Sequence, residues 1–219
     1  MAIIKVSEIF YSIQGEGVHQ GQPMIFVRLQ GCNLAQQHGG CTWCDTQYAQ
    51  FYDSGKDYPI ESIVKKALSY PSKKVCLTGG EPLLQPSVTS LITALKTQGF
   101  WLEVETNGSL PIEEYLDLVD CWSVDVKCPS SAMFLHNYLQ NLAIIRQCDQ
   151  VKFVVSDNED IGFSDRIIKG HPTLATILYS PVHGNEAWTQ RIADHVKDNP
   201  GTRLSLQIHK FIWSEEKER

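Results

Sequence analysis

Apolar residues in this chain switch repeatedly between strand-like and helix-like spacing, and that alternation constrains the fold more than any other feature. Met24-Ile-Phe-Val-Arg-Leu29 predicts a strand. Ile60, Ile63, Val64, Ala67 and Leu68 fall at helical spacing, and the short apolar run Val75-Cys-Leu77 follows. Val88, Leu91, Ile92 and Leu95 line one face of a second helix that stops near Gly99. Strand-like Trp101-Leu-Glu-Val-Glu105 then runs into the turn Thr106-Asn-Gly108. The rhythm continues with strand-like Trp122–Val126, a helical stretch from Tyr138 to Ile145, and strand-like Val151–Val155. A helix near Asp160 to Ile168, a strand Thr176–Tyr179, a helix from about Glu186 to Val196 and a strand Leu204–Ile208 complete it. Repeated βα units imply a parallel sheet with helical crossovers. The expected class is α/β, an incomplete, modified (β/α) barrel of about six parallel strands; an open doubly wound sheet fits the same pattern.

Polar clusters sit where the strands end: Thr78 to Glu81, Glu105 to Asn107, Asp125 to Lys127, Ser156-Asp157, Ser180 to His183, and His209-Lys210. In parallel barrels the chemistry lies on that rim, because those loops converge there. At 219 residues the chain is expected to form one domain over 1–219, and no linker or repeat divides it. A net charge of −6 argues against a nucleic-acid groove. No apolar run approaches membrane-spanning length, and the first ten residues lack the pattern of a signal peptide. The seven cysteines are therefore expected to be thiols or metal ligands in a cytoplasmic protein.

Three of those cysteines, Cys32, Cys41 and Cys44, share one polar segment over residues 31–46 that follows a strand and should be a loop. Three thiolates are one ligand short of a closed structural zinc site or an ordinary iron–sulfur cluster. The missing ligand would leave an open position for substrate or cofactor. The spacing by itself leaves an iron–sulfur cluster, a zinc site completed by His38, and unligated thiols all open. Cys76 and Cys121 fall in strand-like runs and read as packed free thiols. Cys128 and Cys148 are scattered.

The cysteine loop, Thr78-Gly-Gly-Glu-Pro82 and the barrel-like alternation together resemble the radical S-adenosylmethionine enzymes. Glu8-Ile-Phe-Tyr-Ser-Ile-Gln-Gly-Glu-Gly17, Phe26-Val-Arg-Leu-Gln-Gly-Cys-Asn33 and Trp43-Cys-Asp-Thr46 narrow the resemblance to the 7-carboxy-7-deazaguanine synthase family. Glu105-Thr-Asn-Gly108, Val124–Ser131, Lys152-Phe-Val-Val155 and Gln207-Ile-His-Lys210 extend it over nearly the whole chain. The resemblance implies ring contraction of 6-carboxy-5,6,7,8-tetrahydropterin to 7-carboxy-7-deazaguanine with loss of ammonia, on the way to 7-deazapurine nucleosides such as queuosine. It also implies a [4Fe–4S] cluster, S-adenosylmethionine and Mg²⁺, an electron donor such as a flavodoxin or ferredoxin, and a homodimer. Eight residues separate the first two cysteines here, where many members have three.

By resemblance, Cys32, Cys41 and Cys44 ligate the cluster. Trp43, Cys44, Asp45, Gly80, Glu81, Glu105, Asp125, Lys127 and Ser180, with the segment to His183, would form the S-adenosylmethionine pocket. Many members carry Ser-Pro-Lys where this chain has Asp125-Val-Lys127. Ile13, Gln14 and Gly15 match the substrate-binding loop, with Glu16 beside them. Arg28 matches an arginine facing the substrate carboxylate, to which a planar fork is suited. Thr78 matches another substrate contact, and Thr46 a Mg²⁺ ligand. Taken alone, Asp45-Thr46 reads as a helix cap and Arg28 as a surface residue. His209-Lys210 fits the substrate end loosely, and His19, His38, His136, His171 and His195 have no assigned role. Two competing readings are a glycyl-radical activase, which would leave Gln14–Gly17, Arg28 and Thr46 without purpose, and a zinc-bearing interaction module, which would leave Gly-Gly-Glu-Pro unexplained.

Overall fold

The computed structural model describes residues 2–214. Nine strands form one sheet: β1 (Ile3–Ile13), β2 (Pro23–Leu29), β3 (Lys56–Pro59), β4 (Lys74–Gly79), β5 (Trp101–Thr106), β6 (Cys121–Val126), β7 (Gln150–Val155), β8 (Thr176–Pro181) and β9 (Thr202–Leu204). Their order is β3-β1-β2-β4-β5-β6-β7-β8-β9. From β2 through β9 every pairing is parallel, so seven strands form the parallel run; β1 lies antiparallel between β2 and β3.

The helices are α1 (Asn33–His38), α2 (Ile60–Leu68), α3 (Val88–Thr97), α4 (Asn158–Gly170), α5 (Glu186–Asp198) and α6 (Ile208–Trp213). The apolar faces of α2 and α3 join strand residues Val75, Leu77, Leu102 and Val104 in the main core. Parallel strands covered on both faces can be apolar throughout, and Met24 to Val27 of β2 are all buried. A smaller apolar cluster of Met24, Phe26 and Cys76, with Phe10 and Trp101 against it, is separate from that core. Asp157 caps α4, accepting from the Asp160 N–H at 2.9 Å.

The segment joining β1 to β2 closes the curved sheet. Val18 N–H donates to Gln150 Oε1 on β7 at 2.7 Å, and Gly17 N–H donates to Ser205 Oγ just past β9 at 2.9 Å. Gln20 Nε2 donates to the Leu206 carbonyl at 2.6 Å, and Ile208 N–H to the Gly15 carbonyl at 3.0 Å. A connection from one end of the sheet thus bridges to the other, which is how an unclosed barrel keeps a lined interior.

Three local expectations differ from the structure. The segment 138–145 is not α-helical; it forms a 3₁₀ turn over Leu139–Ala143, where the Asn141 side chain bonds Ile112 N–H and the Leu110 carbonyl. The strand expected over Leu204–Ile208 ends at Leu204, and α6 begins at Ile208, where the Gly15 carbonyl holds the chain. The cysteine segment is not wholly a loop, because α1 occupies the stretch between Cys32 and Cys41.

Candidate active site

A cavity of about 430 Å³ opens at the C-terminal ends of the parallel strands. Its wall includes Ile13, Gln14, Gly15, Glu16, Arg28, Cys32, Cys41, Trp43, Cys44, Asp45, Thr46, Thr78, Gly80, Glu105, Asp125, Lys127 and Ser180. Every site residue expected from the sequence therefore lines one cavity, except Glu81. Glu81 is wholly buried behind the wall and accepts from Leu83 N–H at 3.0 Å, Thr106 Oγ1 at 2.9 Å and Asn107 N–H at 2.7 Å. Burial pushes its carboxyl up to about 7, against the pull of those donors. With its oxygens bonded to these protein donors, Glu81 braces the wall from behind.

On one side of the cavity lies the cysteine segment. Leu34 and Ala35 of α1 are buried, which seats the short helix and accounts for the wide gap between the first two cysteines. Burial pushes the Cys32 and Cys41 thiols up; the backbone N–H groups of Ala35 and Leu34 oppose this at Cys32, and Lys127 opposes it at Cys41. Asn107 Nδ2 lies 3.7 Å from Cys32 Sγ, and Thr46 Oγ1 lies 3.7 Å from Cys44 Sγ. The Gly-Gly-Glu-Pro turn is pinned to this segment, since Glu81 N–H donates to the Gly31 carbonyl at 2.7 Å. A Cβ on Gly80 would come within 2.3 Å of that same carbonyl oxygen, so only glycine permits the approach.

The spacing of these thiols bears on what they can hold. Tetrahedral zinc with Zn–S near 2.3 Å draws its sulfurs to about 3.8 Å from one another. Among the described residues, the triads whose ligand atoms all lie within 4.8 Å are His19–Glu103–Cys121 and Cys76–Glu103–Glu105, and neither contains a cysteine of this segment. A four-iron cluster separates its thiolates more widely, because each binds a different iron. The three thiols fit that group. The zinc alternative needs His38 as a fourth ligand, and His38 does not line the cavity with the three cysteines; its ring stacks on His136 with centroids 3.7 Å apart.

The rest of the wall is densely bonded. Arg28 Nε donates to Glu8 Oε1 at 2.6 Å, and Tyr48 Oη donates to the same oxygen at 2.8 Å. Thr78 Oγ1 donates to Glu105 Oε2 at 2.8 Å, and Gln14 Nε2 to Glu105 Oε1 at 3.1 Å. Glu105, expected in the cofactor pocket, thus stands with the residues expected at the substrate. Glu16 takes Lys152 Nζ and Gln207 Nε2, each at 2.7 Å. Lys152 also reaches Asp125 at 3.3 Å, and Asp125 takes Lys127 at 2.7 Å, giving a row of alternating charges. Burial alone would push Glu16 and Asp125 up, but Lys152 and Gln207 hold Glu16, and Lys127 with Lys152 holds Asp125, below their ordinary values. Asp45 is held by Lys210 at 3.0 Å.

Several of these residues were not singled out from sequence. Lys152 carried no assigned role because a lysine on a strand looks like a surface residue, yet it joins Glu16 to Asp125. Glu8 was quoted only as part of a motif. Lys210 and Gln207 reach the cavity because α6 begins where β9 leaves the sheet. His209 lies against Gly15, where a Cβ would meet its Nδ1 at 1.8 Å. Thr46 precedes a 3₁₀ turn but makes no capping bond, so its hydroxyl is not spent as a cap.

Comparison with known proteins agrees with this geometry. Residues 26–142 match the model of the radical SAM superfamily. A 7-carboxy-7-deazaguanine synthase from Methanospirillum hungatei is 41% identical over 95% of this chain and 85% of its own length. One from Chlorobaculum tepidum is 35% identical over 97% and 96%. The crystal structure of QueE from Escherichia coli shares the fold with a TM-score of 0.68 at 22% identity, covering 94% of each chain. Streptococcus suis SuiB shares it more loosely, with a TM-score of 0.56 over 81% of this chain and 47% of its own. With superfamily, relatives and cavity in agreement, this chain belongs to the radical SAM superfamily and, within it, to the 7-carboxy-7-deazaguanine synthase family.

Proposed function

We propose that this chain converts 6-carboxy-5,6,7,8-tetrahydropterin to 7-carboxy-7-deazaguanine with loss of ammonia, supplying 7-deazapurine synthesis. The observation that carries the reading is the meeting, in one cavity, of the three-cysteine wall with the Arg28 and Gln14–Thr78–Glu105 groups. Cys32, Cys41 and Cys44 would hold a [4Fe–4S] cluster, and Gly80, Trp43 and Ser180 would flank S-adenosylmethionine. When bound and reduced, these two supply one-electron chemistry able to abstract a substrate hydrogen.

The protein's own residues then bind and orient. Arg28, fixed through Nε by Glu8, pairs with the substrate carboxylate. Glu105 and Gln14 meet the polar edge of the pterin, with Glu105 aligned by Thr78. The row from Glu16 to Lys127 is already paired, so it holds its shape without rearranging when substrate enters. Thr46 is assigned to Mg²⁺, since a hydroxyl oxygen not spent as a cap suits a hard cation that bridges to a carboxylate. An electron donor such as a flavodoxin or ferredoxin, and a homodimeric assembly, join this reading through the resemblance in sequence.

Anaerobically reconstituted protein, given the carboxytetrahydropterin, S-adenosylmethionine and a reductant, is expected to yield the deazaguanine acid by mass detection. Cofactor cleavage without that product would overturn the substrate assignment. Thr46→Ala is expected to lower activity and move the Mg²⁺ titration midpoint; an unmoved midpoint removes Thr46 as a ligand.

A further inference from the structure

Beneath the cavity, and outside it, one carboxylate is unexplained by the reaction. Glu103 lies on β5 two residues before Glu105 and is wholly buried. One oxygen accepts from Gln14 Nε2 at 3.4 Å and from Gln150 Nε2 at 3.2 Å. The other lies 2.8 Å from His19 Nδ1, whose ring meets Trp101 edge-on. Cys76 on β4 and Cys121 on β6 are its direct neighbours across the sheet, and Glu105 and Lys152 complete its charged surroundings. The hydrogen bonds from both glutamines and the histidine satisfy the carboxylate without a metal.

We propose that Glu103, held by His19, is a positioning residue that fixes the Gln14 amide with its donor side toward Glu105. An ionised carboxylate only accepts, so only the NH₂ end of Gln14 can face it. That NH₂ has two hydrogens, one for Glu103 and one for Glu105 at 3.1 Å. The amide oxygen is thereby turned to accept the Glu16 N–H at 3.3 Å, which sets the backbone of the segment that lines the cavity. Through Gln150, whose oxygen takes the Val18 N–H at 2.7 Å, the same carboxylate anchors the far side of that segment. Glu103 touches no ligand. Its kinetic test rests on the pterin reading above; its geometry does not.

Glu103→Leu removes one of the two carboxylates that orient the Gln14 amide and leaves Glu105 alone to hold it. The pterin KM should rise about tenfold, with kcat within about twofold and substrate-free S-adenosylmethionine cleavage unchanged. Glu103→Gln keeps an oxygen for both glutamines and turns its NH₂ toward His19, whose Nδ1 accepts in the other tautomer. It should restore KM to within about threefold of wild type. A wild-type KM in the Leu variant overturns the inference, as does equal damage in both variants, which would mean packing alone. If the Leu variant also loses cofactor cleavage, His19→Ala decides, and a wild-type KM there overturns it. A wild-type protein that does not turn over the pterin breaks the reaction reading alone. The Gln14 side-chain amide resonances then decide: a shift in the Leu variant and none in the Gln variant supports the inference, and no shift in either overturns it.

Discussion

The two sides of the cavity are built by opposite means. On the cysteine side, the thiols have sparse protein partners, with contacts of 3.7 Å from Asn107 and Thr46. On the other side, carboxylates, amides and ammonium groups satisfy one another at 2.6–3.4 Å. Thiols are weak hydrogen-bonding groups whose strong bonds are to metals, so their geometry is left to the ligand they bind. The substrate side must be in register before anything binds, and it spends its own polar groups on that order.

Substitutions that touch one side and spare the other test this contrast. Cys44→Ala should abolish iron binding and cofactor cleavage, yet shift the unfolding free energy of the cluster-free protein by less than about 1 kcal/mol. A larger shift would mean the cysteine side is also held by its own contacts.

Lys152→Met should have the reverse character. It leaves half-buried Glu16 without its cation and Asp125 without one of two, and should cost about 2–3 kcal/mol at neutral pH, below the full penalty for a buried pair because water screens part of it. Because Glu16 and Asp125 are held below their ordinary values, their stabilisation in the wild type is fully present above roughly pH 4 and fades as the pH falls through the depressed values. The deficit of the Met variant should therefore hold steady from pH 7 to about pH 4 and shrink as the pH falls further, read in denaturant titrations. A deficit that does not shrink below about pH 4 would assign the loss to packing. Arg28→Ala should weaken pterin binding by about 1.5–3 kcal/mol and leave S-adenosylmethionine affinity alone; equal losses for both would move Arg28 off the substrate side.

The sequence made the parallel strands and their helices readable, because buried runs and amphipathic helices leave strong periodic signals. It was weaker where periodicity breaks. The eleven residues of β1 pass through a register shift between Val6 and Glu8, which moves the inward face midway. Its two-residue alternation is therefore interrupted, and Glu8 reads as a surface carboxylate. Helix α1, six residues long, is too short to show a period. The positions of Arg28, Gln14 and Thr78 came from resemblance, and their common cavity only from the fold. Lys152 was quoted only within a motif and Glu103 had no signal at all, since a charged residue on a strand announces burial only through partners far away in sequence.

That separation has a consequence for how the site comes into being. The cysteine wall takes Asn107, 75 residues beyond Cys32, then Ser131, whose carbonyl accepts from Thr42 N–H, and last His136, on which His38 stacks. The seam across the β1–β2 connection instead joins residues 136, 188 and 191 apart, Glu16 to Lys152, Gly17 to Ser205 and Glu16 to Gln207. Chains emerge from the ribosome N-terminus first, and distant pairings cost more loop entropy and form later. In synthesis, therefore, the residues of the cysteine wall are all made before Lys152, Ser205 and Gln207, which shut the interior across the β1–β2 connection.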